Sequence, residues 1–249
     1  MILTSKNNPL IKETATLKEK KGRKEHGLFL VEGRKMAQEC AKSAFEIERV
    51  FVSETYQDWL DFPEEKIVRV SEDVMRFLSD EKTPQGILCR VKIPQKRLEL
   101  PTGNCLILDG VADPGNMGAI IRTANAAGYK EIYLTENCVD PYSPKSVRAS
   151  MSGVFFTNLY FGTRTEILDK LHDFSIIVAD MVGANVFTFT PPTKFALVIG
   201  NEANGISEEM FSRSTHTVKI PMEATQESLN AAVSAGILMY ILNKEKYNN

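Results

Sequence analysis

Short apolar runs alternate with helical patterns along the N-terminal part of the chain. Runs with the length and composition of strands lie at residues 28–31, 47–52, 67–70 and 87–91. Helical character is present at residues 8–24, 33–43 and 73–79. Strands that alternate with helices in this way predict a small α/β domain in which helices cover a sheet.

A second α/β series follows further along the chain. Its predicted strands are mostly continuous apolar runs, at residues 105–108, 132–134, 175–179, 196–199 and 218–220. Its predicted helices lie near residues 118–127, 146–152, 166–171, 207–211 and 228–243. Continuous apolar runs fit parallel strands that are covered on both faces. We therefore expect a parallel sheet with helices on either side.

A turn-forming segment separates the two series. Residues 92–103 contain two prolines, a glycine and several charges, which is typical of a linker. The pattern predicts an N-terminal domain at residues 1–92, a linker at 93–103 and a second domain at 104–249.

The last predicted helix carries an apolar stripe. Leu229, Val233, Ile237, Tyr240 and Ile241 recur on it at helical spacing, with small residues between them. Packing into the core is the first interpretation of this stripe. A subunit interface is the alternative, because small residues let another backbone approach closely.

Composition places the chain among ordinary globular proteins. Of its 249 residues, 43% are hydrophobic and 25% are charged. No apolar run approaches the roughly 18 residues of a membrane span, and the first residues lack the apolar core of a secretory signal. The four cysteines and three histidines are scattered, so neither disulfides nor a metal site is expected. Reduced thiols and the absence of a signal predict a cytoplasmic protein.

Charge is unevenly distributed. The net charge is −2, yet residues 1–42 hold ten Lys or Arg against five Glu. The densest basic segment contains Lys18, Lys20, Lys21, Arg23 and Lys24. Such a segment beside a small α/β domain can neutralise phosphates. A solvated helix face is the alternative.

A tight turn precedes the first helix of the second series. Residues 113–118 hold a proline, two glycines and Asn116 between a strand and a helix. Backbone N–H groups at such a helix start suit an anion, although an ordinary strand-to-helix turn has the same composition. The segment is not the G-x-G-x-x-G fingerprint of a dinucleotide oxidoreductase.

Arg122 lies among small and apolar residues on the same predicted helix. Arginine is seldom buried without a partner, so we expect it at a cleft, where its guanidinium can hold a phosphate or carboxylate. An ion pair with Glu202 is the structural alternative. Glu202 itself follows a strand and Gly200, and capping of the next helix is its own structural alternative.

Ser228 and Asn230 stand at the start of the last predicted helix. First-turn capping is their plain interpretation. In an open α/β sheet, however, ligands bind at strand ends and helix starts. The ends of the strands before Gly200 and at Ile220, together with this helix start, therefore predict one small-molecule pocket.

These motifs, read with residues 108–128, resemble the SpoU/TrmH group of SPOUT RNA ribose 2'-O-methyltransferases. Three separated motifs match in order and spacing. The resemblance covers residues 104–245 well and the N-terminal part more loosely. It implies a parallel sheet whose C-terminal segment forms a trefoil knot, and a homodimer with the active site near the interface.

The resemblance also assigns residues. The implied catalytic set is Asn116, Arg122, Glu202, Ser228 and Asn230. The implied S-adenosylmethionine pocket is formed by Gly200, Ile220, Met222 and Leu229. A cation stabilises a developing alkoxide, so we expect Arg122 to act electrostatically rather than as a base. Ser228 and Asn230 would orient the ribose or the guanidinium.

The N-terminal segment resembles the substrate-binding domain of this group, which is similar to L30e-type RNA binders. The expected RNA contacts are Lys18, Lys20, Lys21, Arg23, Lys24 and Arg148. For Arg148 a structural ion pair is an equal alternative.

The motifs differ from the family pattern at two places. Ala203 replaces a frequent Gly, which matters only where a positive φ is required. Residues 222–227 are less Gly-rich than is usual, which leaves cofactor affinity open.

The sequence therefore predicts an S-adenosylmethionine-dependent RNA 2'-O-methyltransferase that needs no metal or membrane. Ribosomal RNA is the favoured substrate, and transfer RNA is the alternative. An inactive RNA-binding or ribosome-assembly protein is a further alternative, against which the intact catalytic set argues.

Overall fold

The structure is a computed structural model, and residues 2–247 are described. The chain forms two compact units. The first comprises residues 2–95 together with 140–155, and the second comprises residues 96–139 together with 156–247. Residues 140–155 thus belong to the N-terminal unit, whereas the sequence boundaries assigned them to the second domain.

The strands and helices are numbered in chain order. The strands are β1 (Ile2–Leu3), β2 (Leu28–Glu32), β3 (Ile47–Ser53), β4 (Ile67–Val70), β5 (Ile87–Lys92), β6 (Cys105–Asp109), β7 (Glu131–Thr135), β8 (Asn158–Gly162), β9 (Ser175–Asn185), β10 (Phe195–Gly200) and β11 (His216–Lys219). The α-helices are α1 (Pro9–Thr16), α2 (Lys20–His26), α3 (Arg34–Ala41), α4 (Glu72–Leu78), α5 (Pro114–Ala127), α6 (Pro144–Ser150), α7 (Gly153–Phe156), α8 (Arg164–Lys170), α9 (Glu208–Ser212) and α10 (Ala231–Leu242). Short 3₁₀ helices occupy Glu64–Lys66 and Lys244–Tyr247.

The first unit is built on a mixed five-stranded sheet of order β1-β4-β3-β5-β2. Strand β4 runs parallel to β1 and β3, whereas β5 is antiparallel to β3 and β2. Apolar side chains of the sheet pack against α1 and α4, with Ile11, Phe51 and Met75 almost fully buried between them. The expected small α/β domain is confirmed.

Residues 8–24 predict a helix that runs into a basic turn, and the structure has a second helix in place of that turn. Helix α1 begins at Pro9, capped by Asn8, and ends at Leu17. Helix α2 then packs back on it so tightly that a Cβ at Gly22 would lie 2.2 Å from the carbonyl oxygen of Thr16. Only glycine fits this close approach, which a helical pattern alone does not reveal.

Residues 140–155 join the first unit through buried contacts. The Tyr142 ring lies 4.9 Å from that of Phe29, and Phe155 packs edge-on against Phe45. The buried guanidinium of Arg23 reaches Asp140 at 2.7 Å. Because these contacts join residues that are far apart in the sequence, the domain boundaries predicted from the sequence did not place this segment in the first unit.

The second unit contains the expected parallel sheet. Its strand order is β11-β9-β10-β6-β7-β8, and every pair is parallel. Edge strand β8 was not predicted, because it is short and its outer side chains, such as Phe161, are exposed. The α/β fold class is confirmed, and the trefoil knot stays a prediction.

An irregularity in the sheet forms one wall of the site described below. Strand β11 pairs with β9 on both sides of a break, so residues 179–183 bulge out between Val178 and Ala184. A Cβ at Gly183 would lie 2.6 Å from the backbone of Val218. The bulge therefore depends on a glycine at its base.

Helix α10 buries a different face from the one expected. Ala235, Leu238, Met239 and Leu242 are buried, while Val233 and Tyr240 are 51% and 43% exposed. The interpretation of the predicted stripe as core is therefore wrong for these two residues and for Leu229, which precedes the helix and is 36% exposed. The helix is apolar on nearly all sides, so periodicity could not identify its inner face.

None of the helices in residues 2–247 has the length and hydropathy needed to cross a membrane.

The packing of α1 on α2 gives a stability prediction. Gly22→Ala should lower the free energy of unfolding by about 1–3 kcal/mol, because its methyl group collides with backbone. Gly103→Ala is the control, since a Cβ there meets nothing within 4 Å. Urea unfolding measures both, and equal stability of the two variants would contradict the packing.

Candidate cofactor and catalytic site

A cavity of about 690 Å³ lies in the second unit, where β10 and β11 end beside the bulge of β9. The N-termini of α5 and α10 close its other side. A cavity of this volume is in the usual range for small-molecule sites, and the ends of parallel strands are where such sites occur.

The cavity brings together most of the residues singled out in the sequence. They are Asn116, Gly200, Glu202, Ile220, Met222, Ser228, Leu229 and Asn230. Of the nine residues expected in the catalytic and cofactor sets, Arg122 alone is not among the lining residues. It lies on α5 with an exposed side chain, and it makes no hydrogen bond or ion pair with any residue in 2–247.

The carboxylate of Glu202 sits at the N-terminus of α5. It accepts hydrogen bonds from the backbone N–H groups of Ala112 and Asp113 at 3.0 and 3.1 Å, and from Asn116 Nδ2 at 2.9 Å. The anion site predicted at this turn is thus filled by a side chain of the same protein. Neither structural alternative for Glu202 holds, since Ser207 caps α9 and Arg122 does not reach Glu202.

Asn116 links this carboxylate to α10. Its Oδ1 accepts a hydrogen bond of 2.9 Å from Asn230 Nδ2. Asn230 is also the N-cap of α10, where its Oδ1 accepts from the N–H groups of Ala232 and Val233. The hydrogen bonds therefore fix which side-chain atom is the oxygen and which is the nitrogen in both Asn116 and Asn230. Glu202, Asn116 and Asn230 form one hydrogen-bonded chain across three segments.

The environment of Glu202 favours its ionised form. Partial burial raises the pKa of its carboxyl group, but the hydrogen bonds from Asn116, Ala112 and Asp113 outweigh this effect and bring it below the ordinary value of 4.5. The carboxylate therefore stays charged near neutral pH.

The loop that begins at Gly200 requires a glycine at this position. A Cβ there would lie 2.4–2.6 Å from the backbone of Gly205 and Ile206. Asn201 and Gly205 exchange two backbone hydrogen bonds, which close the loop. The close neighbour of Gly200 is thus the backbone of its own loop. Ala203 does not have a positive φ, so its methyl group causes no strain.

Asp109 is a residue that the sequence analysis missed. It ends β6, is 1% exposed, and accepts from Arg164 Nε at 2.7 Å and from the Ser207 N–H at 2.8 Å. It therefore fixes the far end of the loop that begins at Gly200. An acidic residue directly after the apolar run 105–108 was the available signal.

Acidic groups dominate the cavity wall. Asp113, Asp180, Glu202 and Glu227 line it, against one cation, Lys219. Apolar side chains, among them Ile220 and Leu238, supply much of the remaining surface. Such a wall suits a ligand that combines an apolar ring with positive charge.

Some of the side chains predicted to contact RNA are free, and others are already bonded to residues of the protein. Lys20, Lys21 and Lys24 are exposed on α2, with no hydrogen bond or ion pair to another described residue. Lys18 is half-buried, and its Nζ donates to the carbonyl oxygen of Phe77 at 2.8 Å. The basic segment therefore has three lysines without a bonded partner, while the ammonium of Lys18 is held by a neutral carbonyl group and keeps its charge.

The remaining two arginines of the expected RNA set are occupied by partners inside the first unit. Arg23 is 3% exposed, and besides Asp140 it donates to the carbonyl oxygens of Leu17 and Lys18. Arg148 forms ion pairs with Asp80 at 2.8 Å and Glu81 at 2.6 Å. For Arg148 the structure shows the ion pairs of the structural alternative, and phosphate contacts at Arg23 and Arg148 stay a prediction.

No group of three or more His, Cys, Asp or Glu side chains in the described part of the chain is arranged to hold a metal ion.

The bonds to Glu202 predict a pH-dependent stability difference. Because the pKa of Glu202 is lowered on folding, its contribution is present above pH 4.5 and is lost as the pH falls through that lowered value. Glu202→Gln should lower the melting temperature by about 2 °C or more near neutral pH, and the gap should close in acid. Calorimetry across this pH range measures it.

Glu136→Gln is the matched control, since Glu136 is exposed and unpaired among the described residues. Its melting temperature should equal that of the wild type. A Glu202→Gln gap that widens in acid would contradict the assigned hydrogen bonds.

Comparison with known proteins agrees with this geometry. Residues 103–240 match the SpoU rRNA methylase family, and residues 8–89 match the MRM3-like substrate-binding domain. The first match spans more than half of the chain.

Relatives and solved structures cover nearly the whole chain. The 23S rRNA (guanosine(2553)-2'-O)-methyltransferase RlmP of Bacillus subtilis is 29% identical and covers 96% of this chain and 98% of its own. A solved RNA 2'-O ribose methyltransferase is 30% identical, with a TM-score of 0.82 and coverage of 99% and 100%. An AdoMet-bound rRNA methyltransferase from Sinorhizobium meliloti is 25% identical, with a TM-score of 0.88 and coverage of 98% of both chains.

The expected class of enzyme, an RNA methyltransferase that uses S-adenosylmethionine, is confirmed by these matches. The chain belongs to the SpoU rRNA methylase family and carries an N-terminal MRM3-like substrate-binding domain.

Proposed function

We propose that this protein transfers a methyl group from S-adenosylmethionine to a ribose 2'-hydroxyl of ribosomal RNA. The observation that carries the proposal is the convergence of four expected catalytic residues and four expected cofactor residues on one cavity. Relatives named for ribosomal RNA, such as RlmP, favour that substrate over transfer RNA.

The volume of the cavity and the residues that line it suit the cofactor. S-adenosylmethionine supplies a methyl group activated by a sulfonium. The apolar wall near Ile220, Met222 and Leu229 suits an adenine ring, and the carboxylates suit a ligand with cationic groups. The backbone of the loop after Gly200 is held rigid by Asn201 and Asp109, so its groups are preorganised.

The hydrogen-bonded chain of Glu202, Asn116 and Asn230 acts by positioning. It holds the N-termini of α5 and α10 at a fixed separation beside the cavity. Ser228 lies on the cavity wall two residues before the cap of α10, where its hydroxyl can orient a ribose. Correct placement of the attacking oxygen removes a large part of the barrier to group transfer.

Arg122 supplies positive charge to the reacting 2'-oxygen and its neighbouring phosphate. A guanidinium stabilises the developing alkoxide and forms bidentate bonds to a phosphate. Since Arg122 is exposed, unpaired within residues 2–247 and absent from its own cavity wall, we place its action in the cavity of a second copy.

The proposed homodimer uses the exposed face of α10. Val233, Ile237 and Tyr240 form an apolar stripe along it, and Ile237 is half-buried. The same helix packs on α5, where a Cβ at Gly236 would lie 3.5 Å from Thr123, next to Arg122. An uncovered apolar stripe favours a protein interface.

The first unit is proposed to hold the RNA substrate. Its match to a substrate-binding domain and the free cations of Lys20, Lys21 and Lys24 support this role. We also propose a cytoplasmic location, which the four buried free cysteines support.

The direct test of the proposed function is a map of ribose methylation. Ribosomal RNA from cells with and without this protein should differ at one nucleotide, and cells that express Asn230→Ala should resemble those without it. Identical maps from cells with and without the protein, together with a methyl group lost from transfer RNA, would refute the ribosomal assignment.

The composite site predicts complementation. Arg122→Ala and Asn230→Ala should each be nearly inactive alone, whereas a mixture refolded together should recover about one quarter of wild-type activity, because half of the random dimers carry one intact site. Methyl transfer to ribosomal RNA measures this. Full activity of Arg122→Ala would remove its assigned role, and a mixture as inactive as its parents would show that Arg122 does not act across an interface.

A further inference from the structure

Two lysine ammonium groups lie over a partly exposed aromatic ring on the first unit. Phe77, on α4, is 36% exposed. Lys6 Nζ lies 5.9 Å from the centroid of its ring, and Lys18 Nζ lies 5.6 Å from it. We refer to Phe77, Lys6 and Lys18 as the aromatic–lysine patch.

The two lysines are held differently. Lys18 Nζ donates to the carbonyl oxygens of Phe77 and Ser79 at 2.8 and 3.5 Å, at the C-terminal end of α4. This ammonium is therefore fixed beside the ring. Lys6 makes no hydrogen bond or ion pair with another described residue, so its charge is available to a ligand.

Both ammonium groups lie near the outer limit of about 6 Å for a cation–π interaction. At this distance neither ammonium is in close contact with the ring, and Phe77 keeps 36% of its surface exposed. An exposed aromatic ring on a soluble protein is unremarkable by itself, but two adjacent cations change the chemistry that it can recognise.

The acids close to Phe77 in sequence have other partners. Asp73, one turn before Phe77 on the same helix, pairs with Arg76 at 3.4 Å, and Asp80 pairs with Arg148 at 2.8 Å. The patch therefore carries two lysine charges that these carboxylates do not neutralise. An apolar protein partner would have to desolvate these charges, whereas a polyanion gains from them.

We propose that the aromatic–lysine patch binds an unpaired RNA nucleotide. Its base stacks on the ring of Phe77, and its phosphates lie against Lys6 and Lys18. A base in a duplex has no free face to stack, so the patch selects single-stranded or looped RNA. This inference rests on the proposed function, in which RNA is the substrate. It specifies that the aromatic–lysine patch binds an unpaired nucleotide of that RNA.

Fluorescence anisotropy with the full chain tests the stacking. The probes are a fluorescein-labelled oligoadenylate and an RNA duplex of equal length. Phe77→Leu keeps an apolar side chain of similar size but removes the aromatic face. It should weaken oligoadenylate binding about fivefold or more, while Phe77→Trp binds at least as tightly as the wild type and duplex binding is unchanged in both.

Two further variants serve as controls. Phe211→Leu changes a ring of similar exposure (41%) in the second unit and should leave oligoadenylate binding unchanged. Lys6→Ala should reduce the salt dependence of oligoadenylate binding by a slope of about 0.7, the value for one phosphate contact on a single strand.

The outcomes separate this proposal from the proposed function. Phe77→Leu that binds oligoadenylate like the wild type overturns the patch, even when methyl transfer is intact. Equal loss of oligoadenylate and duplex binding also overturns it, because stacking would then not be the cause. A protein that shows the Phe77 dependence but methylates no RNA would leave the patch standing and refute the proposed function.

Discussion

The carboxylate of Glu202 at the N-terminus of α5 is the contact on which the site depends. Through Asn116 it reaches Asn230, so one hydrogen-bonded chain ties the loop after β10 to the starts of two helices. A helix N-terminus attracts negative charge, and here the protein supplies that charge itself. The start of α5 is therefore occupied by a carboxylate of the protein itself and does not offer its N–H groups to a substrate anion.

The parallel sheet makes this arrangement possible. Strands β6 and β10 are neighbours, with Gly200 opposite Asp109, so the residues that follow them emerge at the same edge. Asp109 and Asn201 then fix the two ends of the loop through Ser207 and Gly110. These bonds hold the loop in place before any ligand is present, which is how preorganised sites are built.

Most of the second unit and its site could be predicted from the sequence, because buried parallel strands are continuous apolar runs and the motif residues follow them directly. Three features could not. The break between α1 and α2 depends on the contact of Gly22 with Thr16, and the pairing of Arg23 with Asp140 joins residues far apart in the chain. The inner face of α10 is hidden in sequence because the helix is apolar on nearly all sides. Each of them depends on packing contacts that the hydrophobic pattern does not encode.

The location of the cofactor is the central claim, and a crystal structure with S-adenosylhomocysteine tests it most directly. We expect the ligand to bind between Gly200, Ile220 and Leu229. The hydrogen bonds among Glu202, Asn116 and Asn230 should be unchanged. A ligand bound elsewhere, or a Glu202 carboxylate that leaves the start of α5 when the ligand binds, would contradict it.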